Sequence, residues 1–262
     1  MRNRRLAITG LAMIAALGLT GCGPTDAGDA PVAGAGTAAT TAAPVAADAA
    51  AELAAAAVKL GTVESLKVKM AMAGGLSAQG VATGDGSKLD MTMVLGQGSS
   101  ANKITVRKLG DDMWMKFGGS MGSTLGAAAG KWMHVDAAQL PAGSSLSGGN
   151  PKDAAKMIQA SADVTKSGEH SFKGTLDMTK SPAVDKKTVA SLGAKAKAVP
   201  FTAETDAEGR LVELSLDMAA LATGAGKMVT TYSDFGTPIA VKAPPAAQVT
   251  EMPKQLLGVV KA

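Results

Sequence analysis

Beyond Gly61 the chain alternates apolar and polar residues with a period of two, the rhythm of half-buried strands. Over 65–72, Leu66, Val68, Met70 and Met72 fall on one face and Lys67 and Lys69 on the other. Over 88–95, Leu89, Met91, Met93 and Leu95 share a face opposite Lys88, Asp90 and Thr92. Residues 81–87 read as the partner strand, with Gly84-Asp85-Gly86 as the hairpin turn before Lys88. Ile104 and Val106 alternate with Thr105 and Arg107, and Gly110-Asp111-Asp112 makes the next turn. Met113, Met115 and Phe117 then face one way, and Trp114 and Lys116 the other; 131–135 form a further short strand. Strands so spaced predict an antiparallel meander with one apolar face.

Elsewhere the period lengthens. Residues 51–60 favour a helix that ends at Gly61. A second helix is expected from Asn150 as cap and Pro151 in the first turn, with Ala154, Met157, Ile158 and Ala162 as its apolar stripe. Phe172, Leu176 and Met178 restore strand alternation over 168–178, and 185–198 read as helix or connector. A hairpin around Asp206-Ala207-Glu208-Gly209 joins 199–205 to 210–218, with Val212, Leu214, Leu216 and Met218 inward. Residues 227–234 are the last long strand, and Ile239, Val241 and Pro244-Pro245 close the domain. The sum is one α+β domain over 51–262, a curved antiparallel sheet with helices across its concave face. Those helices are rich in Ala and Lys and poor in bulky apolar residues, which leaves room between lid and sheet. On the residues alone, a ligand pocket and ordinary close packing both stay open, and close packing is the simpler.

The N-terminus adds an address. Arg2, Arg4 and Arg5 precede an apolar run, 6–17, of the length of a secretory signal and too short to span a bilayer. Leu19-Thr20-Gly21-Cys22 follows and resembles the lipobox of bacterial lipoproteins. The resemblance implies a diacylglyceryl group, carrying palmitate-type acyl chains, on the Cys22 sulfur and cleavage after Gly21. Ala15-Ala16 and Gly18 make only a poor conventional cleavage site. Cys22 is the one cysteine, so no intramolecular disulfide forms, and lipidation gives that thiol a reason. Residues 1–21 are thus expected to be a signal peptide and 22–50, rich in Ala, Gly, Thr and Pro, a flexible tether. The expected location is the outer face of the cell membrane.

Charge supports this more than any other partner. Of 26 Lys and Arg, three sit in the signal, which leaves 23 against 22 Asp and Glu. The basic residues form no block with aromatics, so nucleic-acid binding is not expected. Aromatics make up 3% of the chain while Met numbers 15, so aliphatics and Met must build the core. Met is flexible and polarizable, suited to irregular gaps and varied apolar partners.

Catalytic chemistry is hard to find. His134 and His170 are the only histidines, and His134 is expected on the surface of its strand, opposite Met133. No H-x-x-x-H, cysteine pair or acidic loop suggests a metal, and no G-x-S-x-G, P-loop or dinucleotide fingerprint is present. Gly118-Gly119-Ser120 and Gly148-Gly149-Asn150 lack the lysine of a phosphate cradle. Asp111-Asp112 is explained by turn chemistry. No enzyme activity, metal or cofactor is expected.

Several stretches resemble the LppX/LprAFG family of actinobacterial cell-envelope lipoproteins, related in fold to the LolA/LolB carriers. They are the lipobox and tether, Val63-Glu64-Ser65, Met113-Trp114-Met115-Lys116 with Lys131-Trp132, and above all 231–241 with Ala243-Pro244-Pro245. The resemblance runs from about 54 to 249. It implies a half-barrel enclosing an apolar cavity, lined here by Leu66, Val68, Met70, Met72, Leu89, Met91, Met93, Leu95, Met113, Met115, Phe117, Phe172, Leu176, Val212, Leu214 and Leu216. It also implies an acylated lipid or glycolipid as ligand, carried or presented in the envelope, with a membrane transporter as a further partner. The alternative is a non-carrier envelope lipoprotein with a closed core that serves a membrane partner as interaction or sensor module.

Overall fold

Alanine is the strongest helix former, and the alanine-rich run before the first strand folds accordingly into α1 (Ala42–Thr62). The computed structural model describes residues 42–139, 151–180 and 190–253, which fall within one compact unit. α1 starts at Ala42 rather than at residue 51, so the last nine residues of the expected tether, 42–50, are helical. That stretch carries no bulky periodicity, and alanine needs none to make helix. Ala49, Leu53, Ala56, Ala57 and Leu60 form the buried stripe of α1 at helical spacing.

Among the described residues twelve strands follow: β1 (Leu66–Met72), β2 (Leu76–Ala82), β3 (Lys88–Leu95), β4 (Asn102–Leu109), β5 (Asp112–Gly118), β6 (Trp132–Asp136), β7 (Ser161–Lys166), β8 (Ser171–Leu176), β9 (Val199–Thr205), β10 (Leu211–Asp217), β11 (Lys227–Ser233) and β12 (Val249–Glu251). A short α2 (Gly119–Ser123) leaves β5, and α3 (Pro151–Gln159) leads into β7. The sheet order is β12-β6-β5-β4-β3-β2-β1-β11-β10-β9-β8-β7. Every neighbouring pair is antiparallel except β12 with β6. The sheet is therefore two meanders, β1–β6 and β7–β11, joined by the pairing of β1 with β11. It does not close on itself. The fold is the expected α+β half-barrel.

Local expectations change at several points. Met178 and Met218, expected on strands, lie in 3-10 turns just past β8 and β10. The strand before Lys88 is Leu76–Ala82, not 81–87; Thr83 to Ser87 are its turn, pinned by the Asp85 carboxylate, which accepts from the Ser87 amide and hydroxyl. Ala162 lies on β7 rather than in α3, which ends at Gln159. In β10 a bulge between Leu211 and Glu213 reverses the phase, so Leu211, not Val212, takes the buried position. The Asn150 cap, the Gly148-Gly149 stretch and residues 185–189 lie outside the described residues; in the rest of 185–198, Gly193–Lys197 is a 3-10 turn.

After β11 the chain turns at Asp234 and crosses the outer face of the first meander. The Gly236 amide donates to the Ser65 carbonyl, the Arg107 guanidinium to the Lys242 carbonyl, and the Met252 amide to the His134 carbonyl. From β1 to β6 this strap spans five strand spacings, roughly 24 Å. It ends as β12 on the edge of β6, where it covers backbone groups that would otherwise invite another strand.

Candidate functional site

Antiparallel register stacks the inner-facing side chains into rows that cross the strands. The lowest row holds Leu66, Ala82, Leu89, Lys108, Met113 and Val135. Above it lie Tyr232, Val68, Gly80, Met91, Val106, Met115 and Met133. The third row holds Thr230, Met70, Ala78, Met93, Ile104 and Phe117, and the top row Met228, Met72, Leu76 and Leu95.

Burial falls from bottom to top. The side chains of the second row are buried, down to 0% exposure at Met133. In the third row Met70, Met93, Ile104 and Phe117 are half-buried, and at the top Leu95 is 37% exposed. Across the seam the same heights behave differently. Leu214, Leu216, Phe201, Ala203 and Phe172 are all buried. The cause is the position of α1, which packs on β7, β10 and α3 and so covers the second meander.

The upper inner face of β11 and β1–β5 is thus an apolar wall left partly open. Met121, 38% exposed on α2, and the partly buried Leu125, Met218 and Leu221 stand around its upper end. Its upper rows are apolar apart from the Thr230 hydroxyl. Burial pushes the Tyr232 phenol far above its ordinary range, so that group stays neutral. Lys108 carries its ammonium down to the Gly86 carbonyl, 2.8 Å away. Such a wall can desolvate an apolar chain and offers no charged group in its upper rows.

The residues expected to line a cavity therefore divide. Leu66, Val68, Leu89, Met91, Met113, Met115, Phe172, Leu176, Leu214 and Leu216 are buried core. Met70, Met72, Met93 and Phe117 are half-open, and Leu95 is at the rim. Val212 is half-buried at the bulge and does not belong with either set. Sequence reasoning passed over Leu76, Ile104 as a site residue, Met121 and Met228. Methionine at every second position of 228–232 was not available as a signal, because Thr230 interrupts it. Cys22 lies outside the described residues.

The outer face carries polar features. His134 lies on the outer face opposite Met133, as expected, but is half-buried there. Its Nε2 sits 2.7 Å from the Asp112 carboxylate, its Nδ1 3.6 Å from Glu251, and its ring 5.7 Å from that of Trp114. Arg107 pairs with Asp90 at 2.8 Å and lies over the Trp132 ring at 4.8 Å. A hollow of about 520 Å³ opens between Trp114, His134 and the strap at Pro244, Ala246 and Val249. A second, of about 380 Å³, is a trough over β11, β1, β2 and β3 floored by small and polar residues such as Ala71, Ser77 and Thr92. Among the described residues no group of His, Cys, Asp and Glu could hold a metal ion, and no helix is long and apolar enough to cross a membrane.

No family model matches the chain, and no curated protein matches it. Among solved structures, the chain is similar to the crystal structure of LprF from Mycobacterium bovis. The alignment covers 76% of this chain and 97% of that one, with a TM-score of 0.51 and 16% identity. What the two share is the fold.

Proposed function

We propose that this chain is a lipoprotein, anchored through Cys22 to the outer face of the membrane, that binds an acylated lipid or glycolipid against the upper inner wall and carries or presents it in the envelope. The supporting observation is the graded burial of that wall. An apolar surface running unbroken from a closed base to a half-open rim is the shape an acyl chain needs. Each methylene transferred from water contributes about 0.8 kcal/mol before ordering costs, so a chain of about a dozen carbons gains several kcal/mol. A polar head group at the rim would stay in water. Methionine makes the wall adaptable, since its three rotatable bonds let it follow chains of different shape. No bond is made or broken in this reading.

The test is native mass spectrometry of the full anchored chain, delipidated and then offered phospholipids and glycolipids. The parent protein is expected to take up acylated lipid. Met93→Trp fills the third row from a position already half-open, so it is expected to abolish uptake while melting temperature and circular dichroism stay unchanged. Parent protein that takes up no lipid, or a folded Met93→Trp protein that takes it up as before, would overturn the assignment.

A further inference from the structure

The two ends of the half-barrel differ in charge as sharply as in burial. At the upper end lie the turns 73–75, 96–101, 119–131, 177–180, 193–198 and 218–226, placed together by the antiparallel order. In or beside them stand six exposed lysines: Lys103, Lys131, Lys180, Lys195, Lys197 and Lys227. Against them are two acids, Asp177 and Asp217, each turned back on its own chain, Asp177 also lying 3.8 Å from the Lys180 ammonium. Asp177 accepts from the Thr179 amide and hydroxyl, and Asp217 from the Ala219 amide. The turns themselves are mostly Gly, Ala and Ser, with Leu95, Met121 and Leu221 among them. The lower end reads the other way, with Asp85, Asp111, Asp112, Asp136, Glu208 and Asp234 in or beside its turns.

We propose that the upper end is a membrane-docking surface for anionic phospholipid, the lysine fringe seating on head groups while the apolar rim meets the acyl boundary. Charge complementarity selects this occupant. Lysines held around an apolar rim match a surface that is negative outside and hydrocarbon beneath. The acid-rich lower end would be repelled by the same surface, so the molecule has one preferred orientation. The proposal rests on the reading of the upper wall as a lipid site, to which it adds a route: lipid would pass between bilayer and wall without crossing water. Docking is also expected to weaken as salt rises, because surface charge is screened.

The test uses the mature lipid-anchored protein in vesicles, with Cys22 acylated and one new cysteine carrying a fluorophore. Ser99→Cys labels the upper end and Asp111→Cys the lower. Vesicles contain phosphatidylcholine alone or with phosphatidylglycerol, plus a lipid with a quencher on its acyl chain. Strong quenching is expected at residue 99, weak quenching at 111, and the difference only with phosphatidylglycerol. Lys103→Gln, Lys131→Gln and Lys227→Gln together are expected to reduce the docked-to-undocked ratio on the order of a hundredfold, each lysine at an anionic surface contributing roughly fivefold. Equal quenching at both ends, indifference to phosphatidylglycerol, or quenching that requires an added membrane protein would overturn the proposal. Lipid uptake is measured separately by mass spectrometry. A protein that docks but takes up nothing sinks the carrier assignment alone, and one that takes up lipid without docking sinks only the docking surface.

Discussion

Leu214 and Met93 stand in the same row of one sheet, linked through Thr230, Met70 and Ala78, yet they live in different surroundings. Leu214 is 3% exposed and belongs to a half built from Leu, Val and Phe beneath α1. Met93 is half-buried in a half whose inner face is rich in methionine and lacks that cover at its upper rows. The first half is packed as a core and resists change. The second has a core at its base and a surface at its top. Stability is therefore concentrated in β7–β10, and adaptability in β1–β5.

The sharpest way to break that comparison is to truncate both residues. Leu214→Ala is expected to cost about 3 kcal/mol in denaturant unfolding, because a buried leucine leaves a cavity that its neighbours fill only in part. Met93→Ala is expected to cost less than about 1.5 kcal/mol, since much of its side chain already meets solvent. Equal losses would mean that the two halves are one evenly packed core.

A second variant probes how tightly the covered half is fitted. A Cβ on Gly174 would lie 2.8 Å from the Phe201 ring and 2.8 Å from the Ala162 carbonyl oxygen. Gly174→Val is expected to destabilise by about 1–3 kcal/mol in the same assay, the usual cost of overpacking. A neutral result would show slack where the comparison requires none.

The smallest effect lies at the base of the open half. Hydrogen bonds from Thr83 and Ser87 hold the Asp85 carboxyl down from 3.8 to about 2. A group depressed in the folded state stabilises above its unfolded pKa, and that contribution is lost as pH falls from about 4 toward 2. Asp85→Asn is expected to remove part of the acid sensitivity of unfolding at a cost of about 1 kcal/mol or less at neutral pH. At the base of the covered half, burial raises the Asp206 carboxyl pKa, but the hydrogen bonds and charge of Arg210 outweigh it and leave the pKa below its ordinary value. An unchanged acid profile in the Asp85 variant would transfer the sensitivity to that turn.

Much of the sheet was legible because bulky residues alternate along β1, β3, β5 and β9 and reveal their phase locally. β2 was hidden by its own inner positions, Ala78, Gly80 and Ala82, which are too small to mark a face. β7 was hidden by polarity and by a register shift around Asp163, whose φ of 53° breaks the pairing. β12 depends on an edge that only the folded β6 provides. For the candidate site, alternation identified most of the inward side chains and failed at Val212, where the bulge reverses the phase. It could not say which stay open, because that depends on where α1 lies across the finished sheet.

The seam has a consequence for how such a chain could be made. Lys67 pairs with Ser233, so strands near the two ends of the domain lie side by side in the middle of the sheet. A polypeptide threaded through a translocation pore N-terminus first would present β1 long before β11 arrives. Contacts so distant in sequence form slowly, and loop closure must precede their reward. The central pairing thus acts as a timer: the two meanders cannot be joined until almost the whole domain is available.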